Sequence, residues 1–118
     1  MRTIYIYEAF DGTHFEDDLE CLSYEAALLH PSLMKISFFN KDDDIFYIDK
    51  DKIFMDETPY HAGEKLIIHN EEELKDFLWL SAEMGWCEYE DQINSPGFWE
   101  REEKGWGDGV WTKRPIYV

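Results

Sequence analysis

Residues 70–85 carry both the start signal and the stop signal of one α-helix. Asn70 is a favoured N-cap residue, and Glu73 follows three residues later, as in a capping box. Gly85 suits the position just after a helix, because glycine adopts the left-handed conformation without strain. The pattern therefore predicts an amphipathic helix that ends at about Met84 and needs another element to cover its apolar side. That side consists of Leu74, Phe77, Leu78, Leu80 and Met84.

A second helical pattern occupies residues 16–30. Acidic residues fill its first turn, where carboxylates favour the helix dipole. Pro31 ends the pattern, because the residue before a proline is disfavoured in a helix. Cys21 lies within the pattern and is predicted to be a small core residue. The apolar residues that recur at helical spacing are Leu19, Leu22, Ala26 and Leu29.

Strand patterns surround both helices. Residues 3–10 read TIYIYEAF and are β-branched or aromatic on both faces, which is typical of a strand covered on both sides. Asp11-Gly12 supplies a turn after them, and residues 13–15 are predicted to pair back. The remaining strands before the second helix are predicted at residues 35–40, 45–48 (around the turn 41–44) and 65–69, with a loop at 59–63 and either a strand or one helical turn within 49–58.

The chain after Trp86 is rich in Trp, Glu and Gly, and breaks at Pro96-Gly97 and again at residues 105–109. Two or three short strands are predicted there, near 97–102 and 110–113. The order strand, helix, strands, helix, strands indicates an α+β fold with a mainly antiparallel β-sheet and two α-helices. A length of 118 residues predicts a single domain, 1–118.

The negative net charge of the chain limits the kinds of partner that it can bind. The 27 acidic and 11 basic residues give a formal net charge of −16, while the aromatic content of 17% argues for a folded domain and not a disordered tail. Such a charge disfavours nonspecific binding to nucleic acid and to anionic membranes, because both are negatively charged. A basic protein partner is the favoured alternative, and a purely solubilising role is the other. The oligomeric state stays open.

Motifs of chemistry are missing from the sequence. The serines lack a G-x-S-x-G elbow, the cysteines and histidines lack zinc spacing, and there is neither a phosphate loop nor a dinucleotide fingerprint. We therefore predict no enzyme activity, no metal and no cofactor, with a small hydrolase that uses a carboxylate pair or Cys87 as an alternative. The chain has neither a secretory signal nor a membrane-length apolar run, so a cytoplasmic protein is expected.

Two features are candidates for contact with a partner. Carboxylates spaced along a surface imitate phosphates and pair with Arg and Lys of nucleic-acid-binding proteins. Helix dipoles explain the acidic residues near Glu16 and Glu71. Two other acidic clusters, at 42–44 and 88–91, lie outside helix starts and are therefore the stronger candidates for partner contact. The alternative is that they are solvated loops. Trp106 lies between glycines and is predicted to be exposed as an interface anchor, whereas Trp99 and Trp111 are predicted to be core. The candidate acidic residues are Asp42, Asp43, Asp44, Glu88, Glu90 and Asp91.

The opening segment, YIYEAFDGTHFEDDLECLSYE, resembles a pattern of small phage and mobile-element proteins of Gram-positive bacteria. In that pattern a strand is followed by DG-x-x-F and then by an acidic helix with E-C-x-x-Y-E. The second half, LIIHNEEELKDFL to GW and then PGFWERE, is also similar to such proteins. The matching residues of the first part are Asp11, Gly12, Phe15, Glu20, Cys21, Tyr24 and Glu25.

That group includes anti-CRISPR proteins, and this chain is similar to those that act on the single-effector nucleases of type II systems. The resemblance implies an inhibitor in the bacterial cytoplasm that binds the basic channel of the effector and blocks guide RNA assembly or target DNA binding. It transfers no contact residue to this sequence. The alternative is a phage accessory or immunity protein that binds another basic host factor, such as a restriction enzyme or a toxin.

Overall fold

A computed structural model describes residues 3, 5–104 and 108–114. The elements in chain order are β1 (Tyr7–Glu8), β2 (His14–Phe15), α1 (Asp18–Leu29), a 3₁₀ helix (Pro31–Lys35), β3 (Ser37–Phe39), β4 (Ile45–Phe46), α2 (Thr58–His61), β5 (Lys65–Ile68), α3 (Glu71–Met84), α4 (Cys87–Gln92), β6 (Gly97–Lys104) and β7 (Asp108–Arg114).

Five strands form an antiparallel sheet in the order β4-β3-β5-β6-β7, and β1 and β2 form a separate hairpin. Phe38 lies opposite Leu66, which in turn lies opposite Trp99. The predicted α+β class with a mainly antiparallel sheet is thus confirmed. The predicted strands at 35–40 and 45–48 are present in shorter form as β3 and β4. β3 begins later than predicted because the 3₁₀ helix includes Lys35.

The core lies between the helices and one face of this sheet. Side chains alternate across a strand, so the register of Phe38, Leu66 and Trp99 places all three on the same face. Phe77 of α3 packs on Phe38 with 6.3 Å between ring centroids, and Tyr89 of α4 packs on Trp111 at 5.2 Å. Trp99 and Trp111 are 6% and 5% exposed, which confirms both as core residues.

Both predicted helices form: α3 has the predicted ends, whereas α1 begins at Asp18, two residues later than predicted, and ends at Leu29, before Pro31. The side chain of Asn70 accepts from the Glu73 amide at 2.9 Å, and Gly85 ends α3 at φ +71°. Asp17 caps α1 by accepting from two backbone amides of its first turn. Cys21 of α1 is buried, as predicted, and this burial raises the pKa of its thiol.

Residues 3–10 do not form the covered strand that their composition predicts. Among the described residues of this segment, 3 and 5–10, only those of β1 are paired, and Tyr5, Ile6 and Phe10 are 70%, 62% and 60% exposed. The turn at Asp11-Gly12 is confirmed, with Gly12 at φ +90° in the left-handed region. β-branched and aromatic residues favour a strand locally. They do not decide whether a hairpin joins the main sheet, and this one remains outside it.

Two short helices lie where none is predicted. The first part of the predicted loop at 59–63 belongs instead to α2, which ends at His61. Pro59 is tolerated there because it lies in the first turn, where backbone amides lack helical partners anyway. The segment after Trp86 begins with α4 and not with a strand. Between Asp49 and Thr58 the chain makes hydrogen-bonded turns, including a bond from the Asp56 amide to the Lys52 carbonyl, so the strand alternative there is wrong.

Candidate functional site

The first predicted acidic cluster lies in the turn between β3 and β4. The side-chain oxygen of Asn40 accepts from the amides of Asp42 and Asp44 at 2.9 and 3.0 Å, and Asp43 has φ +62°. Asparagine makes such turns because its short side chain imitates a backbone carbonyl. The three aspartates are exposed. The turn thus presents three carboxylates on a backbone held by Asn40.

Asp43 begins a row of alternating charges across the sheet. Lys65 Nζ lies 2.8 Å from Asp43 Oδ1 and 4.0 Å from Glu100 Oε1. The Arg114 guanidinium also pairs with the Glu100 carboxylate. Lys65 and Glu100 are direct cross-strand partners, one residue away from the Leu66–Trp99 pair. Because side chains alternate, this row lies on the face of the sheet opposite the core. The Asp43 carboxylate therefore already has an internal cationic partner.

The second predicted acidic cluster lies on α4, and its members differ. The Glu88 carboxylate accepts from the Arg101 guanidinium at 2.6 Å and from the Trp111 indole at 2.8 Å. The hydrogen bond to Glu88 is the main cause that raises the pKa of Arg101. Glu90 and Asp91 are exposed. Glu88 thus anchors α4 to the sheet, whereas its two neighbours face solvent.

One end of the sheet brings one member of each cluster, Asp43 and Glu88, to neighbouring clefts. Two shallow clefts of about 260 and 230 Å³ lie at this end, and Glu64 and Arg101 line both of them. Asp43 lines the first cleft and Glu88 lines the second. The Arg101 amide donates to the Glu64 carbonyl at 2.9 Å, where β5 begins beside β6. We call this region the acidic end of the sheet. Trp106, the third candidate, lies outside the described residues.

The basic residues of this region could not be identified from the sequence. Lys65 and Arg101 meet their carboxylates only through the antiparallel register of β5 and β6 and the position of α4. The available signal was the placement of a lone cation in each strand pattern. This signal does not identify the partner of either cation, because any nearby carboxylate could pair with it.

A cluster of His30, Ser32 and Asp76 was also missed. His30 Nδ1 lies 2.8 Å from one Asp76 oxygen, and the Ser32 hydroxyl donates to the other. A hydrolytic triad needs the serine on the histidine, with the acid behind it. Here the acid lies between the two. The cluster therefore joins α1 and α3 and lacks the geometry of an activated nucleophile.

Other sites of chemistry have equally little support among residues 3, 5–104 and 108–114. No group of His, Cys, Asp and Glu in this part of the chain is arranged to hold a metal ion. Cys87 Sγ lies 3.5 Å from the Gly85 carbonyl, and its side chain makes no other hydrogen bond or ion pair within these ranges. The longest described helix, α3, has 14 residues, and none of the described helices is long and apolar enough to cross a membrane.

Comparison with protein-family models, with curated proteins and with solved structures finds no match to this chain.

Proposed function

We propose that the protein is an anti-CRISPR-type inhibitor that binds a basic surface of an RNA-guided CRISPR effector nuclease and blocks guide RNA assembly or target DNA binding. The observation that carries this proposal is the net charge of −16 on a chain with an ordered hydrophobic core. Opposite charge accelerates association and selects basic surfaces over acidic ones. The choice of a CRISPR effector rests on the resemblance of the opening segment to anti-CRISPR proteins.

The acidic end of the sheet supplies two kinds of carboxylate. Asp43 and Glu88 pair internally with Lys65 and Arg101, and so they fix the shape of the surface. The carboxylates of four exposed neighbours make no ion pair with any of the residues described. An arginine or lysine of the partner would pair with these four without displacing an existing cation, so they are the proposed contacts. The four are Asp42, Asp44, Glu90 and Asp91.

Co-purification with type II effector nucleases, with and without guide RNA, tests this proposal when it is followed by a cleavage assay. We expect a stable complex and loss of cleavage. Binding only to the guide-free effector would mean that guide assembly is blocked. Binding to the guide-loaded effector with loss of target binding would mean that the DNA channel is occupied.

Two variants with the same loss of charge separate a defined surface from a general field effect. The contact variant carries Asp42→Asn, Asp44→Asn, Glu90→Gln and Asp91→Asn. Its matched control carries Glu16→Gln, Asp51→Asn, Glu71→Gln and Glu72→Gln, all exposed positions elsewhere. We expect the contact variant to weaken binding at least about tenfold more than the control, since several charge-assisted hydrogen bonds are lost.

Equal weakening by both variants would remove the acidic end of the sheet as the contact surface. Absence of binding and inhibition across effectors from several hosts would overturn the inhibitor proposal itself. Recovery of another basic host protein, such as a restriction enzyme or toxin, would then favour the phage accessory or immunity function.

A further inference from the structure

An apolar groove of about 510 Å³ lies between α1 and α3. Leu19, Leu22 and Leu29 of α1 form one wall, and Trp79 of α3 lies in the other. The predicted apolar side of α1 thus faces this groove instead of the core, where only Ala26 of that set is buried. The three leucines are 42%, 48% and 64% exposed. Contiguous exposed apolar surface of this kind is typical of a binding site.

The charges around the groove indicate which kind of occupant fits. Glu25 and Glu83 line it beside the apolar residues, and none of its described lining residues is basic. Asp18 and Glu20 flank Leu19 in the first turn of α1. An occupant with an apolar stripe and positive flanks would therefore meet complementary groups along both walls.

The shape of the groove favours a helical occupant. Leu19 and Leu29 are ten residues apart on one helix, so the apolar wall is about 15 Å long. That length corresponds to about three helical turns of an occupant lying along it. Helices that lie in grooves present apolar residues at i, i+3 or i+4 and i+7, which matches a wall of this length.

We propose that the groove between α1 and α3 binds an amphipathic α-helix of the partner, with apolar residues on one side and Lys or Arg along its flanks. This inference rests on the proposed function only in that the partner is basic. A second copy of this chain is a poorer occupant, because each copy carries a charge of −16 and the two would repel at close contact.

A model peptide tests the groove without any nuclease. The probe is a capped peptide of about 14 residues with Leu at helical spacing and Lys elsewhere. One control is its scrambled isomer, with the same charge but no apolar side. The other control replaces every Lys by Glu. We expect the Leu/Lys peptide to bind at least about tenfold more tightly than either control by calorimetry at about 0.15 M salt.

Matched variants of α1 assign that binding to the groove. Leu22 and Leu28 are 48% and 49% exposed on the same helix, but only Leu22 lines the groove. We expect Leu22→Ser to weaken peptide binding about tenfold and Leu28→Ser to leave it unchanged. Glu83→Gln should weaken it a few-fold, and this loss should shrink at about 0.5 M salt because the contact is ionic. Circular dichroism melting verifies that each variant is folded.

Three results would overturn the inference: equal binding of the scrambled peptide, equal effects of Leu22→Ser and Leu28→Ser, or sedimentation of a dimer that Leu22→Ser dissociates. The same variants, tested with the effector, keep the two proposals apart. An effector complex that is insensitive to Leu22→Ser removes the groove and leaves the inhibitor proposal standing. Peptide binding in the groove without any effector complex removes the inhibitor proposal and leaves the groove as a binding site.

Discussion

Asp76 is the residue at which three segments of the chain meet. Its carboxylate holds His30 at the end of α1 and Ser32 in the following 3₁₀ helix, while its own backbone belongs to α3. His30 also stacks on Trp79 of α3, with 3.9 Å between ring centroids. A buried carboxylate is tolerated where hydrogen bonds replace its hydration. Asp76 therefore joins the end of α1 and the following 3₁₀ helix to α3.

Replacement of Asp76 by alanine removes both of these bonds. Because His30 and Ser32 would be left without their partner, we expect Asp76→Ala to lower the free energy of unfolding by about 1–3 kcal/mol, measured by urea denaturation. Glu83→Ala is the matched control, since Glu83 is an exposed acid of the same helix that lies outside its first turn. Its effect should remain within about 0.5 kcal/mol. Similar losses in both variants would contradict the role of Asp76.

Asp11 predicts how stability depends on acid pH. The Tyr24 hydroxyl donates to its carboxylate at 2.5 Å, and this bond, with the Thr13 amide, holds the pKa of Asp11 below its ordinary value of 3.8. A pKa that is lower in the folded state gives stability that is present above the unfolded pKa and is lost as the pH falls through the folded one.

We therefore expect Asp11→Asn to lower the melting temperature at about pH 5 and to lower it less at about pH 2, because this contribution is lost as the pH falls through the folded-state pKa of Asp11. Tyr24→Phe removes the same hydrogen bond and serves as the matched variant. Its deficit in melting temperature should also be smaller at the lower pH. A deficit of constant size between the two pH values would contradict this assignment. Thermal melts followed by circular dichroism provide the measurement.

At the scale of elements, α4 serves the sheet as a lateral support. The Gln92 amide group donates to the Gly109 carbonyl at 2.9 Å and accepts from the Trp111 amide at 2.8 Å. These are the bonds that a neighbouring strand would make with β7, so one side chain replaces part of a strand. Glu88 adds a bond to the Trp111 indole from the same helix.

Loss of this support is expected to open β7 locally. Gln92→Ala leaves the Trp111 amide without its acceptor, so its hydrogen exchange should accelerate by at least about tenfold, while amides of α3 remain as in the wild type. Asp91→Ala, at the exposed neighbouring position, is the control and should leave the Trp111 amide unchanged. Exchange measured by nuclear magnetic resonance distinguishes the two. Equal rates in Gln92→Ala and the wild type would contradict the support.

The elements that sequence predicted well are those with local signals. Asn70 and Gly85 define α3 through caps that depend only on nearby backbone. α4 has no such signal, because its N-cap position is Trp86 without a side-chain cap, and it forms by packing of Tyr89 in the core. The covered strand at residues 3–10 failed for the opposite reason: strand propensity is local, but burial depends on which partner the segment finds.

At the scale of the whole molecule, the sequence predicted most of the acidic residues of the candidate surface to be exposed. It did not predict which cations pair with the others. Asp42, Asp44, Glu90 and Asp91 face solvent as expected of charged residues outside helix starts. Asp43 and Glu88 differ because register and helix placement bring Lys65 and Arg101 to them. Charge is read directly from a sequence, whereas the pairing of charges is a tertiary property.

The excess of carboxylates predicts a stability that rises with salt. Repulsion within a chain of net charge −16 is screened as the Debye length falls from about 30 Å at 0.01 M to under about 10 Å at 0.15 M. We expect a gain of about 1 kcal/mol and roughly 3–6 °C in melting temperature over that range. NaCl and KCl should act equally, because screening does not depend on the ion. A fall in melting temperature would mean that the ion pairs outweigh the repulsion.

The two edge strands of the described sheet determine whether copies of the protein can associate through it. β4 closes one side with only two residues, and on the other side Gln92 interrupts the free backbone of β7. Long unpaired outer strands recruit strands of other copies and begin aggregation. Here neither side offers an uninterrupted run to a second copy. The proposed inhibitor would have to be present at the concentration of its target, and at that concentration this architecture disfavours polymerisation through the sheet.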